Sequence, residues 1–291
     1  MNTVSKPRTL SPLRIAAINF LNPAPLMWDF EHPPLEAPLA QRYQIHRMLP
    51  SECADRLASG QVDIGLVPIA ALAANPTLRI LPGCTIASKH RVRSLLLIHR
   101  AGRSIQSLRS VAADTASRTT LAYSRILFHH WGNPAVPFLP AHADLDAMLH
   151  TADAAILIGD PALLALEEQT NRFERTAEEL VYLDLAEEWT ALMNVPFVSA
   201  VWGGAPGLDP ATRELIAHDL NQSRIHGLQN IDTLVTEWSA RLPIPEQTIR
   251  TYLTTNIHYI LDEECIEGMK VFFQTAASLG ILPEYTLKIS D

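Results

Sequence analysis

At 291 residues, 47% hydrophobic and 19% charged, the chain is long enough for one large or two medium domains with a sizeable core. A net charge of −8 argues against nucleic acid as the main partner, because phosphate backbones need a basic face; it leaves room for a small anion held by local donors. Cys53, Cys84 and Cys265 are odd in number, scattered and outside any C-x-x-C spacing, which fits reduced thiols rather than a disulfide framework.

The opening "MNTVSKPRTLSPLR" is polar, and the apolar stretch after it is cut by Asn19, Asn22 and Pro23. No secretory signal is therefore expected, and no window approaches the ~18 apolar residues of a membrane span. The expected setting is cytoplasmic, with no membrane partner. "LRIAAIN" (Leu13 to Asn19) reads as a buried strand. It runs into "FLNPAP", where two prolines forbid a helix interior. Asn19 and Asn22 there either make turn hydrogen bonds or face a ligand.

A second strand is predicted over Tyr43 to Leu49, followed by a helix capped by Ser51 and ending near Gly60. "VDIGLV" (Val62 to Val67) is a third strand, and Ile69 to Ala74 begins another helix. The same order returns from Ser110: a strand to Ala113, a helix through "LAYSRILFHHW", and a strand at Val136 to Leu139. The helix "DLDAMLH", the strand "AAILI" and "GDPALLALEE" complete it. Asp63 and Asp153 stand at the third strand of each set, and Pro68 and Pro161 follow. Either these are generic βαβ units or the halves share one plan. In the second case a cleft lies between two α/β lobes, lined by loops at strand C-terminal ends. After Pro196, "FVSAVWGG" is a strand returning to the first lobe. Asp262 caps a last helix whose Ile266, Met269, Phe273 and Ala276 make a core stripe ending at Gly280.

Several chemistries are excluded by pattern. No phosphate-loop G-x-x-x-x-G-K-[ST], no G-x-G-x-x-G after a strand, no H-E-x-x-H and no G-x-S-x-G occurs. His129 and His130 are adjacent and diverge by about 100° on a helix. Glu187–Glu188 and Glu263–Glu264 fit helix starts, where the dipole favours them. "DTASRTT" is different: Thr115, Ser117, Thr119 and Thr120 gather where a strand meets a helix. Free backbone N–H groups with small hydroxyls suit a carboxylate or phosphate, and Arg118 adds charge; simple N-capping is the alternative. In "ASKHRVRS", Ser88 and Ser94 bracket a loop entering the strand "LLLI", with Arg91 and Arg93 solvated. In "IGDPAL", Asp160 reads as an N-cap before Pro161.

Taken in order, "FLNPAPL", "GQVDIGLVP", "IASKHRVRSLLL", "DTASRTT", "LIGDPAL" and "DLAEEWTALMNVPFVSAVW" resemble the chorismate dehydratase family of the futalosine route to menaquinone. The resemblance spans about Leu13 to Gly280. It implies an α/β, two-lobed type II periplasmic-binding-protein-like fold, with residues 1–98 and 199–291 in one lobe, 99–198 in the other, and paired crossing strands near Leu95–Arg100 and Phe197–Gly203. It implies conversion of dianionic chorismate to 3-[(1-carboxyvinyl)oxy]benzoate and water, with no metal and no organic cofactor. It places Asn22 as the catalytic asparagine and Ser88, Ser94, Ser117, Arg118, Thr119, Thr120 and Asp160 around the substrate. Two positions depart from the pattern: Asn19, and His90 where a glycine is common. The rivals are a non-catalytic solute-binding or sensor protein for a small carboxylate, and the sister 1,4-dihydroxy-6-naphthoate synthase, whose motifs match less well at "FLNPAPL". Oligomeric state is not legible from the residues.

Overall fold

A computed structural model describes residues 12–290, so the first eleven residues of the polar opening lie outside them. The strands are β1 (Leu13–Ile18), β2 (Tyr43–Met48), β3 (Ile64–Pro68), β4 (Arg79–Ser88), β5 (Leu95–Arg100) and β6 (Val111–Asp114). They continue with β7 (Phe138–Ala141), β8 (Ala154–Ile158), β9 (Leu180–Asp184), β10 (Phe197–Gly204) and β11 (His258–Ile260). They form two sheets, ordered β11-β4-β10-β3-β1-β2 and β7-β6-β8-β5-β9. Each is the centre of one lobe.

The two sheets share a motif. In the first, β1 lies parallel between β2 and β3, and antiparallel β10 follows β3. In the second, β6 lies parallel between β7 and β8, and antiparallel β5 follows β8. An aspartate just ahead of the third strand ties each unit to its first. The Asp63 carboxylate accepts the Arg14 backbone N–H at 2.8 Å, and that of Asp153 accepts the Arg109 N–H at 2.9 Å. Each pairs with its arginine's guanidinium as well. These bonds hold both Asp63 and Asp153 below the ordinary carboxylate range.

The chain crosses between sheets twice, from Ser88 to Leu95 and from Asp184 to Phe197. The paired crossing strands expected from the sequence are not found: Leu95–Arg100 and Phe197–Gly204 do not pair with each other, since β5 bonds β8 and β9, whereas β10 bonds β3 and β4. Leu95 to Ile98 and all of β8 are buried, so this pairing covers an apolar run on both edges.

Other local expectations shift for identifiable reasons. The second-unit strand runs Phe138–Ala141 rather than Val136–Leu139, in register with β6 from Val111↔Phe138. The helix after β2 starts at Pro50, with Leu49 at its cap, so Ser51 is not the N-cap. Glu52 reaches back to accept the Leu49 N–H at 3.0 Å, and the Ser51 N–H goes to the Ala116 carbonyl of the other lobe instead. Asp262 does cap the last helix, Glu263–Ser278, through the Cys265 N–H at 2.9 Å. Met269, Phe273 and Ala276 are core residues of that helix, and all three cysteines are free and buried. Among the described residues, no helix is long and apolar enough to cross a membrane.

The proline turn after β1 is seated on the long helix Pro210–Gln229 through Gly227. A Cβ at that position would lie 2.2 Å from the Pro25 carbonyl oxygen and 2.6 Å from its Cα. Both are backbone atoms, so no side-chain rotation relieves the clash. Gly227→Ala is therefore expected to lower unfolding free energy by about 1–3 kcal/mol, the usual cost of overpacking. Urea unfolding of the variant checks this, and unchanged stability would show that the turn yields freely.

Candidate functional site

Three of the sequence-predicted residues, Asn22, Ser94 and Ser117, line one cavity between the lobes, whose accessible volume is about 20 Å3, room for a water molecule with the lobes together as they are here. Phe20, Val92, Ile158 and Phe197 supply apolar wall, and Ser199 a further hydroxyl. No lysine, arginine, histidine, aspartate or glutamate is among the lining residues.

The turn carrying Asn22 is closed by backbone alone, with Ala24 N–H to the Leu21 carbonyl at 3.0 Å and Leu26 N–H to Pro23 at 2.9 Å. The Asn22 side chain is thus not needed to make the turn. Its Oδ1 is buried and has no hydrogen-bond partner. A buried amide oxygen left unpaired is costly, and at a cavity wall it points to a ligand or water as the missing donor. Asn19 differs, being exposed, with its N–H continuing the ladder to Met48 at 2.9 Å.

The second lobe meets this turn directly. Leu21 N–H donates to Asp160 Oδ1 at 2.9 Å, a bond between residues far apart in sequence and in different lobes. Asp160 is accordingly not the N-cap; the helix Asp160–Glu167 begins with it, and Gly159 occupies the cap position. Gly159 has φ of +69°, and a Cβ there would lie 2.7 Å from the Phe20 ring, so both conformation and space require glycine. Its N–H donates to the Ser94 carbonyl at 2.7 Å. Burial raises the Asp160 carboxyl to about 6, against the lowering effect of the Leu21 N–H.

The hydroxyl run divides its duties. Ser117 caps the helix Arg118–His130, accepting the Thr120 N–H at 3.4 Å, and lines the cavity. Thr119 accepts the Ala70 N–H of the first lobe at 3.0 Å, a bond between lobes rather than to a ligand. Thr120 Oγ1 is buried without a hydrogen-bond partner, and Thr120 is not among the lining residues. Arg118 points away, to Asp55 at 2.7 Å, with both side chains largely exposed. Ser88 lies outside the lining, its hydroxyl bonded to the His90 backbone at 3.1 and 3.3 Å.

Sequence reasoning missed Ser199, Tyr252 and Tyr259. Ser199 sits where the register of β10 on β4 slips between Val198 and Ala200, and such a bulge re-aims a side chain that simple alternation would assign elsewhere. Tyr259 donates to the Asn22 carbonyl at 3.0 Å and Tyr252 to Ser94 Oγ at 2.9 Å. Nothing near either tyrosine in the sequence marks these partners. One side-chain group among the described residues has metal-like spacing: His258, Asp262 and Cys265, with ligand atoms within 4.8 Å. None lines the cavity, and Lys89 Nζ already sits 3.0 Å from Asp262.

Comparison with known proteins bears on this geometry. A family model described as menaquinone biosynthesis matches residues 13–278. The chain belongs to that family, the one that contains the chorismate dehydratases. A protein of Archaeoglobus fulgidus has a similar structure, with TM-score 0.72 at 13% identity over 94% of this chain and 99% of that one. The periplasmic aliphatic sulphonate binding protein of Escherichia coli is also similar, with TM-score 0.64 at 15% identity over 97% and 90%. So is a Candida albicans protein described as having the generic periplasmic binding protein fold, with TM-score 0.65 at 16% identity over 95% and 92%. At such identities the likeness establishes the fold alone. This family member has the two-lobed, periplasmic-binding-protein-like α/β architecture.

Because the folded protein holds the Asp160 proton more tightly than the unfolded chain, this group's contribution to stability is greatest below about pH 4 and is lost as pH rises to about 6. Asp160→Asn keeps an acceptor for Leu21 and removes the charge. The variant's stability relative to wild type is expected to rise between pH 4 and pH 7. Urea titrations at both pH values check the sign; a difference independent of pH would show that Asp160 is ionised throughout.

Proposed function

We propose that the protein is a chorismate dehydratase that forms 3-[(1-carboxyvinyl)oxy]benzoate and water in menaquinone biosynthesis. The supporting observation is the cavity itself: Asn22 with an unpaired buried Oδ1, Ser94 and Ser117 converge from both lobes on a space without ionisable walls. The family match supports the pathway.

Chorismate brings two carboxylates and a ring two bond changes from aromaticity. Breaking C3–H and C4–O gives the benzoate, with the C3 proton and the C4 hydroxyl leaving as water. The electron pair from C3–H delocalises through the ring double bond toward the ring carboxylate, so donors around that group lower the barrier. On this reading Ser117, at the start of the helix Arg118–His130, and Ser94 hold carboxylate oxygens, and the Asn22 amide faces the reacting ring. A cavity wall without a protein base leaves the proton to the substrate's own enolpyruvyl carboxylate, held close to C3 by orientation. Aromatisation supplies the driving force, and the step needs neither an electrophilic metal nor an organic cofactor.

Purified protein incubated with chorismate, with product followed by chromatography, tests the reading. Turnover is expected at the same rate with and without a chelator; loss on chelation and recovery with a divalent cation would overturn the metal-free step. Asn22→Asp replaces an amide by a carboxylate beside a dianion and removes an N–H2 donor. A fall in kcat/KM of roughly 10²–10³ is expected, on the scale of losing one preorganised donor, with unchanged thermal unfolding. Binding of chorismate without turnover would instead identify a sensor, and consumption of cyclic dehypoxanthinyl futalosine the sister synthase.

A further inference from the structure

Beyond the cavity wall, the C-terminal segment fastens two of its polar groups from behind. Residues Tyr252–Asn256 form a π-helical turn, a geometry rare in general and frequent at functional sites, and β11 follows it along the edge of the first sheet. Tyr252 is 0% exposed and Tyr259 3%, and neither lines the cavity. The Tyr259 hydroxyl holds the backbone of Asn22 in the first lobe at 3.0 Å. That of Tyr252 holds the side chain of Ser94, which opens the first strand of the second sheet, at 2.9 Å.

We propose that Tyr252 is a positioning residue that turns the Ser94 hydroxyl into a hydrogen-bond donor aimed at an anionic oxygen of the substrate, an inference that rests on the dehydratase reading. Each hydroxyl has one proton, and the bond between them uses one of the two. A carboxylate in the cavity can only accept. Once it is present, the Ser94 proton goes to it, and the Tyr252 proton must fill the bond behind. Ser94 Oγ has no other hydrogen-bond partner among the described residues, so Tyr252 alone sets the direction. The Ser94 backbone is fixed separately, through its carbonyl and the Gly159 N–H at 2.7 Å. Removing the phenol oxygen therefore frees the hydroxyl rotor without releasing the strand.

The test is a double-mutant cycle in kcat/KM and in chorismate affinity on wild type, Tyr252→Phe, Ser94→Ala and the double variant, with thermal unfolding of each. Tyr43→Phe serves as a reference; it also removes a buried tyrosine hydroxyl, bonded to Asp219 at 2.6 Å far from the cavity, and is expected to change stability without changing kcat/KM. Tyr252→Phe is expected to lower kcat/KM roughly 10–100-fold, the range for losing a partner that orients a functional group. In the Ser94→Ala background the same substitution is expected to have little further effect. Equal losses in both backgrounds, or an effect confined to thermal unfolding as in Tyr43→Phe, would overturn the role of Tyr252 while leaving the dehydratase reading intact. A wild-type protein inert toward chorismate would remove the reading and this inference together.

Discussion

The hydrogen bond from Leu21 N–H to Asp160 joins the two lobes at the point where their first and third strands end. It places the turn after β1 against the helix that follows β8, and Asn22 is the next residue. A backbone donor from one lobe and a carboxylate from the other would each be left unpaired if the lobes parted without water to replace them. The cavity thus owes its shape to a contact between lobes rather than to either lobe alone. Thr119 with the Ala70 N–H, and the Ser51 N–H with the Ala116 carbonyl, add two more links of the same kind beside it. All three use the polar residues and free amides that collect where strands give way to helices.

That concentration follows from building two sheets on one plan. Asp63 and Asp153 each lock a third strand onto a first by accepting a backbone N–H, so both units present their strand ends in the same way. The crossings exchange β5 and β10 between lobes, each strand lying inside the sheet beside its β8 or β3. The cavity lies where those exchanged strands begin and where the parallel strands end, which is why Ser94, Phe197 and Ser199 join Asn22 and Ser117 in its wall. Gly159 matters here for space as much as for its positive φ, since the Phe20 ring fills the volume that a side chain would need.

Much of this was legible because it depends on local chemistry. Amides and prolines directly after an apolar strand, and a cluster of hydroxyls before a helix, marked Asn22 and Ser117, and the order of motifs marked Ser94. Other positions share the same motifs but not the same duty. Arg118 finds Asp55 at the surface, Ser88 closes its own loop on His90, and Thr119 binds the opposite lobe. A motif records that a segment is constrained, without separating residues that face the ligand from those that hold the segment in place. The unread part is long-range. Tyr252 and Tyr259 reach Ser94 and Asn22 only because β11 docks antiparallel on β4, a pairing that no periodicity reveals. Ser199 depends on a bulge, and the Ser51 cap failed because Glu52 reached back to Leu49 while the Ser51 N–H was drawn to Ala116.

A cavity with neutral walls is an unusual place to put a dianion, and on the proposed chemistry its neutrality has a purpose. A lysine or arginine beside the carboxylates would bind substrate and transition state alike, which tightens binding without lowering the barrier between them. It would also lower the pKa of the enolpyruvyl carboxylate and weaken it as the acceptor of the C3 proton. Hydroxyl and amide donors avoid both effects. They are strongest where charge accumulates on the ring carboxylate, and they leave the second carboxylate basic. Such donors are effective only if their protons already point the right way, since a rotor that must be ordered during the reaction adds to the barrier. The fold therefore has to supply orientation in place of charge. Helix capping of Ser117, the backbone-closed turn under Asn22 and the tyrosines behind Ser94 and Asn22 supply it from three separate elements.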